Sequence, residues 1–565
     1  MNFTVDWSNE RDGIGSLMDF VLGARIYCEK YGYKYIHTDL KNIEHKPAEY
    51  DQKSWEHFWN NYVREIYLDN AKSVNDLPKD IKVITIDSLY QNIEAGDYQL
   101  IKYLVNRREL KKFLDDNINN YEDLRAKLIG NYRIKEPVLI RNENYINIAF
   151  HIRRHMEGDY SNNPVLELYE RGNDTDLYYQ SMINQLSKIL TNKKVKLYIY
   201  SVGSQELFEH YLDYGSDNFN IELKLNGKTH EDVRDLSNAH ILVMSKSSFS
   251  RLANYYSTGI KIIKEKFWHT LVSDTIFTDS AGTITEDQIE ILKSRITKQS
   301  VKNFWNNRPC NVNHSKKEFL SKSYFDEVEQ KKYFVEPHIP KFAEFDKWKG
   351  KKVLEIGCGI GTDSINFARA GADLTIIEFS DVSLDICKKR FEIFGLSAKF
   401  YCGDAEQIDI IIPTQQFDLI YSFGVLHHTP NPENVYRKLS GYMGPSSELR
   451  IMVYSKVSWK LFWLMIEHDI KNLGNTDKLI QEHSEAQNGS PITYTYTFEE
   501  ITGILNKYRL RVDSIWKDHI FTYDINNYRN NIYLKDEYWK DINQDLFKSF
   551  EKDLGWHTMI KATLQ

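Results

Sequence analysis

The sequence has little cysteine and no long hydrophobic run, and each of these absences excludes a class of protein. Five cysteines among 565 residues, an odd number with no C-x-x-C pair, argue against a disulfide framework and against a structural zinc site. No stretch approaches the roughly 18 consecutive apolar residues of a membrane span, and residues 1–10 carry charge where a signal peptide needs an apolar run. We therefore expect a soluble, cytoplasmic protein without integral membrane contact.

An excess of positive charge and an excess of structure-breaking residues are also missing. Lys and Arg number 73 against 80 Asp and Glu, a net charge of −7, so no overall basic field favours nucleic acid or anionic lipid. With 12 prolines and a hydrophobic content of 41%, the chain is too apolar for a disordered or fibrous protein. Its length predicts about three to four globular units at roughly 150 residues each.

Short apolar runs of strand length alternate with amphipathic stretches of helix length, which predicts an α/β fold with largely parallel sheets. Strand patterns are missing from about residue 268 to residue 350 and resume at Lys352. We therefore place the main boundary near residue 300 and a weaker one near residues 133–144. In the first 300 residues the predicted strands are 3–7, 34–37, 81–86, 146–151, 195–201, 221–225, 241–244 and 260–263, and the predicted helices are 17–31, 98–114, 177–190 and 248–256.

A glycine-rich turn follows the first predicted strand of the C-terminal part. Residues 351–362 read K-K-V-L-E-I-G-C-G-I-G-T, with glycines at Gly357, Gly359 and Gly361. Such a turn lets a ligand approach the backbone, and the helix that follows offers free N–H donors. The dinucleotide pattern would be G-x-G-x-x-G. Here Glu355 precedes the turn, where an acid suits a cationic amino group better than a pyrophosphate.

Acidic residues follow the next two predicted strands. Glu378 ends the strand at 374–377, about 20 residues after the first glycine, where an acid binds ribose hydroxyls. Asp404 and Ala405 follow the strand at 399–401, where a carboxylate can accept a hydrogen bond from an adenine amine. Together these positions predict a bound nucleoside. The alternative is that the glycines form only a tight turn and the acids only cap helices.

The order of these motifs, with F-G-V-L-H-H at residues 423–428, resembles the class I S-adenosylmethionine-dependent methyltransferases over residues 320–455. The resemblance implies a Rossmann-like domain over residues 350–565 and S-adenosylmethionine as cofactor. For His427 and His428 two interpretations stay open, a base for an acceptor hydroxyl or a structural role in the loop. The residues that the resemblance assigns to the cofactor are Glu355, Gly357, Cys358, Gly359, Gly361, Glu378, Asp404, Ala405 and Phe423.

Aromatic segments follow the predicted fifth strand of this domain, at residues 448–454. They lie at residues 459–466 and 484–498, where insertions in such folds form a lid over the acceptor. Ordinary core packing is the alternative for most of these rings. A last strand is predicted at residues 554–561.

Two motifs in the N-terminal part place polar groups at strand ends. Residues 147–160 read N-I-A-F-H-I-R-R-H-M-E-G-D-Y, so that His151 ends a buried strand and Arg153 and Arg154 follow. Paired guanidiniums bind phosphate oxygens, although surface ion pairs with Glu157 or Asp159 are the alternative. Residues 239–250, A-H-I-L-V-M-S-K-S-S-F-S, bring serines to a helix start, which binds phosphate or forms a plain N-cap.

These two motifs resemble the H-x-R-R-G-D-Y and S-x-S-x-F-S patterns of the fucosyltransferase superfamily over most of residues 1–265. This chain has three extra residues before Gly158, and Arg251 stands where the family often has an aromatic residue. The resemblance implies a two-lobed GT-B fold, with an acceptor-side lobe at 1–144 and a donor-binding lobe at 145–299. It implies a nucleotide-sugar donor, GDP-fucose, and a leaving diphosphate neutralised by Arg153. The donor residues it assigns are Gly13, Gly15, His151, Arg153, Arg154, Ser247, Ser248 and Phe249.

The sequence thus predicts a bifunctional glycan-modifying enzyme, in which residues 300–349 are a helical linker and an N-terminal extension of the methyltransferase. One half would transfer a sugar to a glycan acceptor, and the other would methylate a sugar hydroxyl. We expect no metal, since the D-T-D at residues 174–176 opens a predicted helix. The alternatives are a non-catalytic glycan-binding N-terminal half, or methylation of a lipid, a protein or a small metabolite. The oligomeric state stays undetermined.

Overall fold

The computed structural model describes residues 1–7, 10, 12, 14–44, 46, 50–68, 71–91, 98–121, 124–125, 127–129, 145–153, 173–191, 193–265, 269–468, 476–485 and 489–565. The chain divides into two compact units, Met1–Ile296 (unit 1) and Thr297–Gln565 (unit 2). Within the described residues, no helix combines the length and the apolar character needed to cross a membrane. All five cysteines are free thiols.

Unit 1 contains two sheets in which every strand pair is parallel. The first has the order β2-β1-β4-β3 and the second the order β10-β9-β8-β5-β6-β7. Central parallel strands are covered on both faces, which explains why five of the six residues of β5 are fully buried. The strands are β1 Asn2–Asp6, β2 Lys34–Tyr35, β3 Val83–Ile86, β4 Leu100–Leu104, β5 Ile146–His151, β6 Val195–Ser201, β7 Phe219–Leu225, β8 Ile241–Met244, β9 Ile260–Lys264 and β10 Thr275–Thr278.

Two strands of unit 1 lie where the sequence predicted none. The predicted helix at 98–114 is wrong in its first half, because β4 pairs with both β1 and β3 before the helix begins. The Asn106 side chain accepts from the Arg108 N–H and caps the helix there. Strand β10 lies within the segment expected to lack strands and pairs with β9.

The helices of unit 1 are α1 Ile14–Tyr31, α2 Gln52–Tyr62, α3 Arg107–Asn117, α4 Asn173–Ile189, α5 Thr229–Asn238 and α6 Ser248–Tyr256, and α7 Glu286–Asn307 contains the boundary between the units.

Unit 2 is built on one sheet with the order β13-β12-β11-β14-β15-β18-β17, and β16 lies beside β15. Strand β18 runs antiparallel to both of its neighbours, and the other pairs are parallel. The strand order reverses between β11 and β14, and ligands of open α/β sheets bind at the carboxyl ends of strands beside such a switch point. The strands are β11 Lys352–Ile356, β12 Asp373–Glu378, β13 Lys399–Cys402, β14 Phe417–Phe423, β15 Met443–Ser455, β16 Thr495–Tyr496, β17 Leu510–Asp518 and β18 His557–Leu564.

The α/β class with parallel sheets is confirmed, and the end of unit 2 differs from the prediction in two ways. Strand β17 was not predicted, and the last strand begins at His557 rather than at residue 554, because α18 extends to Leu554.

The helices of unit 2 are α8 Lys322–Val335, α9 His338–Ala343, α10 Ser364–Arg369, α11 Asp381–Phe394, α12 Ile408–Ile411, α13 Pro432–Leu439, α14 Trp459–His468, α15 Thr476–His483, α16 Phe498–Lys507, α17 Ile525–Arg529 and α18 Gln544–Leu554. Shorter helical turns are Val63–Tyr67, Val74–Asp76, Gln205–Leu207, Glu209–Tyr214, Phe345–Trp348, Ala405–Gln407, Leu426–His428 and Ser440–Tyr442.

Candidate functional site

The turn after β11 requires glycine at all three predicted positions. Gly357, Gly359 and Gly361 have φ angles of 79°, 52° and 77°, a backbone region that residues with a Cβ rarely adopt. A Cβ at Gly357 would lie 2.3 Å from a methyl of Val425, and one at Gly361 would lie 2.5 Å from the Cys387 thiol. A Cβ at Gly359 would meet only Cys310, at 3.8 Å. A Cβ at the middle glycine would therefore make one ordinary van der Waals contact, whereas its two neighbours are tightly packed.

Glu355 is a buried acid directly beneath this turn. Its side chain lies on β11, and Oε2 has no hydrogen-bond partner among the described residues. Burial, reinforced by the nearby Asp363 carboxylate, raises the pKa of Glu355 to about 8. Asp363 itself is satisfied, because it accepts hydrogen bonds from Lys332 at 2.8 Å and from Tyr421 at 3.0 Å. Glu355 thus offers a buried oxygen to a ligand that carries a positive charge.

Glu378 ends β12 and is held by backbone N–H groups. Its Oε2 accepts from the Gly359 N–H at 2.9 Å, and its Oε1 accepts from the Ser380 N–H at 2.8 Å. Burial raises the pKa of Glu378, while these hydrogen bonds and the one from the Phe379 N–H act in the opposite direction. The carboxylate is therefore fixed at the same strand edge as the glycine turn.

Asp404 follows β13, and its contacts combine capping with an ion pair. Oδ1 accepts from the Glu406 N–H at 2.9 Å, and Oδ2 accepts from Lys298 at 2.7 Å. Lys298 also contacts Glu406 Oε2 at 2.8 Å. Sequence reasoning missed Lys298, which lies on α7, 106 residues from Asp404, and no local pattern marks such a partner.

A cavity of about 140 Å³ lies where these groups meet. Ala405 and Cys358 lie in its wall, and so does Phe423 at the end of β14. All nine residues that the sequence assigned to the cofactor line this cavity except Gly361, which packs on Cys387 behind it. Trp305 and Lys332 also line it, although they lie in segments that the sequence predicted only as helical.

The two histidines after β14 occupy different positions. His428 lines the cavity, whereas His427 is fully buried with its ring 3.9 Å from that of Tyr454. Neither ring nitrogen of His427 has a hydrogen-bond partner within the described chain. His428 Nδ1 donates to the Ile492 carbonyl at 2.8 Å, and its Nε2 lies 3.6 Å from Glu485. Burial lowers the pKa of both rings, so His428 Nε2 holds an available lone pair.

A second, larger cavity of about 800 Å³ shares Trp305, Cys310 and Asn311 with the first. Its wall combines aromatic rings with charged groups, among them Glu485 and Lys460. Burial lowers the pKa of Lys460 to about 8. The segments after β15 that the sequence predicted at an acceptor site contribute to this wall. The aromatic side chains most relevant here are Trp305, Trp459, Trp463, Phe521, Tyr528 and Trp556.

In unit 1, the two predicted motifs meet at the carboxyl ends of adjacent strands. His151 ends β5, and its Nδ1 lies 2.6 Å from Ser250 Oγ and 2.9 Å from Ser245 Oγ, beyond the end of β8. Burial, together with the Arg153 guanidinium, lowers the pKa of His151 to about 3. Ser247 caps α6 by accepting from the Ser250 N–H at 3.1 Å.

The remaining residues of unit 1 that the sequence predicted to bind the nucleotide sugar differ in their exposure and packing. Arg153 is exposed just beyond β5, and the Phe249 ring lies 5.1 Å from that of His151. Ser248 begins α6, against which Gly15 packs so closely that a Cβ there would lie 2.7 Å from the Phe249 nitrogen. Gly13 and Arg154 lie outside the described residues. In the D-T-D segment, Asp176 accepts a hydrogen bond from the Tyr211 hydroxyl at 2.5 Å.

The switch-point cavity and its glycine turn are features that nucleotide-binding α/β domains share, and comparisons with known proteins specify unit 2 further. Residues 353–445 match the family model described as a methyltransferase domain. Ubiquinone biosynthesis O-methyltransferases of Coxiella burnetii (strain Dugway 5J108-111) and Actinobacillus pleuropneumoniae serotype 7 (strain AP76) are each 32% identical to this chain over 101 and 103 residues. These comparisons support a methyltransferase domain in unit 2, of the class I type that uses S-adenosylmethionine.

The matched region is only part of each relative. It covers 18% of this chain and 42% and 44% of the two relatives, so the chain spans less than half the length of the curated proteins that it matches. Among solved structures, magnesium protoporphyrin IX methyltransferase from Synechocystis PCC 6803 with bound SAH is 15% identical, with a TM-score of 0.32. That alignment covers 47% of this chain and 100% of the other.

Proposed function

We propose that unit 2 transfers a methyl group from S-adenosylmethionine to a hydroxyl oxygen of an acceptor held in the 800 Å³ cavity, and that this acceptor is a sugar. The observation that carries the proposal is the shared wall of the two cavities, formed by Trp305, Cys310 and Asn311. A donor in one cavity and an acceptor in the other would meet there. Holding two reactants in contact supplies much of the rate enhancement of a group transfer.

The described residues fit S-adenosylmethionine by their chemistry. Its methionine part carries an ammonium group, and Glu355 Oε2 is a buried oxygen without a partner in the described chain. Its ribose hydroxyls are donors, for which the fixed Glu378 carboxylate is an acceptor. When bound, this cofactor supplies a methyl group on a positively charged sulfur. Gly359, which has no Cβ and lines the smaller cavity, allows close approach to the backbone.

His428 is the residue of this site best placed to take the proton of an acceptor hydroxyl. Its Nδ1–H is committed to the Ile492 carbonyl, so its Nε2 is the acceptor nitrogen. A neutral imidazole with this orientation accepts a proton as the hydroxyl oxygen forms its new bond to carbon. Glu485, 3.6 Å away, stabilises the imidazolium that results.

A sugar suits the larger cavity because its wall combines aromatic side chains with charged groups. Aromatic rings provide apolar contact for the faces of a sugar ring, and Glu485 and Lys460 provide partners for its hydroxyls. A lipid, a protein side chain or an aromatic metabolite remains the alternative acceptor. The outcome of an acceptor screen separates these classes.

The test combines ligand binding with methyl transfer. Calorimetry of the full chain with S-adenosylhomocysteine should show binding that Gly359→Leu weakens more than tenfold, because the new side chain faces the cavity. Gly395→Leu is the matched control, since Gly395 also has a positive φ, of 64°, but has no atom within 4 Å of its Cβ position and does not line the cavity. Equal binding by both variants would place the cofactor elsewhere. Label transfer from methyl-labelled cofactor to sugars, and not to quinol or lipid acceptors, would support the sugar.

For unit 1 we propose a nucleotide-sugar site that serves glycosyl transfer to a glycan, with GDP-fucose as the donor. The supporting observation is that His151 of β5 contacts Ser245 and Ser250 beyond β8, which brings the two motifs together. Arg153 follows directly and would neutralise a departing diphosphate. Since both units belong to one chain, the product of one activity would be present at a raised effective concentration for the other.

Thermal shift of the full chain with GDP, UDP and ADP tests this second proposal, because ligand binding to the folded state raises its apparent stability. GDP should raise the unfolding midpoint, and Arg153→Ala should remove the effect. Arg108→Ala, at an exposed position on α3, is the control. If no nucleotide changes the midpoint while glycans do, unit 1 is a glycan-binding module.

A further inference from the structure

Three buried histidines and a glutamate form a cluster next to the methyltransferase site. His338 begins α9, His519 follows β17 and His557 begins β18. His338 Nε2 lies 2.9 Å from His557 Nδ1, and His557 Nε2 lies 3.9 Å from Glu336 Oε1. Ligand atoms of Glu336, His519 and His557 all lie within 4.8 Å of one another. The glutamate side chain is 21% exposed, so the cluster is accessible from one side.

The backbone at His519 is in an unusual conformation that keeps its ring in the cluster. Its φ angle is 66°, and a residue with a Cβ costs roughly 1–2 kcal/mol in this left-handed region. Two hydrogen bonds hold this conformation, one from the His519 N–H to Asp518 Oδ1 at 2.9 Å and one from the Trp556 N–H to the His519 carbonyl at 2.8 Å. Strained residues of this kind concentrate at functional sites.

The hydrogen bond between His338 and His557 determines which nitrogen of His557 is available. One of the two facing nitrogens donates and the other accepts, so His557 Nδ1 is occupied and His557 Nε2 points to Glu336. His338 Nδ1 in turn lies 4.0 Å from Asp518 Oδ1. The hydrogen bond between His338 and His557 is an outer contact of the kind that orients metal-ligating histidines.

We propose that Glu336, His519 and His557 bind a divalent transition-metal ion and that His338 positions His557 as a ligand. Two imidazoles and one carboxylate form a donor set that suits zinc, iron, cobalt or nickel, whereas magnesium and calcium prefer oxygen ligands. Bonds of about 2.0–2.2 Å place the ligand atoms of a tetrahedral site roughly 3.3–3.6 Å apart. The three ligand atoms lie within 4.8 Å of one another, so a shift of about 1 Å in each side chain closes the site. This proposal departs from the expectation of a metal-free protein.

The ligand set leaves a coordination position open toward the larger cavity. His519 lines that cavity, and three protein ligands do not complete the coordination of any of these metals. An oxygen of the molecule in the cavity would occupy the open position and would be oriented there. Metal binding itself does not depend on methyl transfer, so failure of one proposal leaves the other testable.

Cobalt binding to the full chain, with any affinity tag removed and metal stripped by a chelator, tests the site. Titration with Co²⁺ should give a visible absorption band that saturates at one ion per chain. Glu336→Gln should lower the Co²⁺ affinity at least tenfold, and His338→Phe should lower it about 10–100-fold, as losses of an orienting partner do. His57→Ala, at an exposed histidine of unit 1, should bind as the parent protein does.

The controls separate loss of binding from loss of folding. Glu336 is partly exposed and Gln keeps its shape, so this variant should keep the circular dichroism spectrum and the unfolding midpoint of the metal-free parent. Unsaturable Co²⁺ binding by the parent, or parent-like affinity of a folded Glu336→Gln protein, would overturn the proposal. Displacement of Co²⁺ by an equal concentration of Mg²⁺ would also overturn it, because an oxygen-ligand site behaves in that way.

Discussion

The backbone N–H of Gly359 donates a 2.9 Å hydrogen bond to Glu378 Oε2. This contact joins the turn after β11 to the tip of β12, so the carboxylate is oriented by the same loop that lines the cavity. Its other oxygen accepts from the Ser380 N–H. The Phe379 N–H is a third backbone donor to this carboxylate. The two carboxylate oxygens have about four lone pairs in all, so one remains for a hydroxyl of a ligand.

Glu378→Gln should weaken S-adenosylhomocysteine binding about 10–100-fold, since hydrogen bonds to a charged group contribute about 1.5–3 kcal/mol. The amide would also direct its NH₂ group at one of the backbone N–H donors that hold the carboxylate. Calorimetry measures the change. Glu392→Gln, on α11 with a side chain 69% exposed, should bind as the parent protein. Unchanged affinity in Glu378→Gln would remove this residue from the cofactor site.

Gly361→Ala should destabilise the protein more than Gly350→Ala. Both glycines have positive φ angles, 77° and 70°, so both variants carry the conformational cost of about 1–2 kcal/mol. Only at Gly361 does the new Cβ meet the Cys387 thiol, at 2.5 Å, while at Gly350 nothing lies within 4 Å. Overpacking adds about 1–3 kcal/mol, and urea denaturation measures the difference. Equal losses would mean that the packing at Cys387 relaxes freely.

The raised pKa of Glu355, about 8, predicts proton release on cofactor binding. Below this pKa the buried acid is protonated in the free protein, whereas an ammonium group favours the ionised form. S-adenosylhomocysteine affinity should therefore rise as the pH increases from about 6 toward 8. Calorimetry in buffers of different ionisation enthalpy measures the released proton, which Glu355→Gln should abolish.

Protonation of Glu355 also makes the free energy of unfolding depend on pH. The folded-state pKa of Glu355 lies above the ordinary value of 4.5, so its contribution to the free energy of unfolding is complete below about pH 4.5 and is lost as the pH rises to about 8. The unliganded Glu355→Gln protein should lack this decline. A parallel pH profile in both proteins would contradict the assignment.

Arg251→Met should destabilise unit 1 by about 3–5 kcal/mol, because it leaves the buried Asp19 carboxylate without its guanidinium partner. Arg251 is 1% exposed and lies 2.5 Å from Asp115 and 3.4 Å from Asp19. Arg25→Met removes an exposed pair with Glu29 at 3.2 Å and should cost less than about 1 kcal/mol. Equilibrium denaturation compares the two, and similar losses would show that the buried pair is not needed.

His428→Gln should lower kcat about 10²–10⁴-fold with the acceptor identified in the screen, as expected for loss of a general base. Cofactor affinity should stay within about twofold, because Gln is uncharged, as the neutral imidazole is, and of similar size. His483→Gln, at a partly exposed position of α15, is the control. A variant with normal kcat would assign His428 a structural role in the loop.

The cavity at the ends of β11, β12 and β13 could be predicted from the sequence because the residues that line it follow local motifs. Glu355 and the glycines share one strand-turn segment, and Glu378 and Asp404 follow the next two strands. Carboxyl ends of parallel strands meet at one edge, so their order along the chain places them together. By contrast, Lys298 reaches this site from a helix that has no motif.

Sequence alone determined the α/β class, the parallel sheets and the methyltransferase motif, because strand periodicity and glycine turns are encoded within short segments. The tertiary structure decided that β4 is a strand although its sequence also fits a helix, since pairing with β1 and β3 outweighs local propensity. It also assembled Glu336, His519 and His557 from three distant segments. These side chains lie close together because segments far apart in the chain pack against one another, and no local sequence pattern predicts such packing.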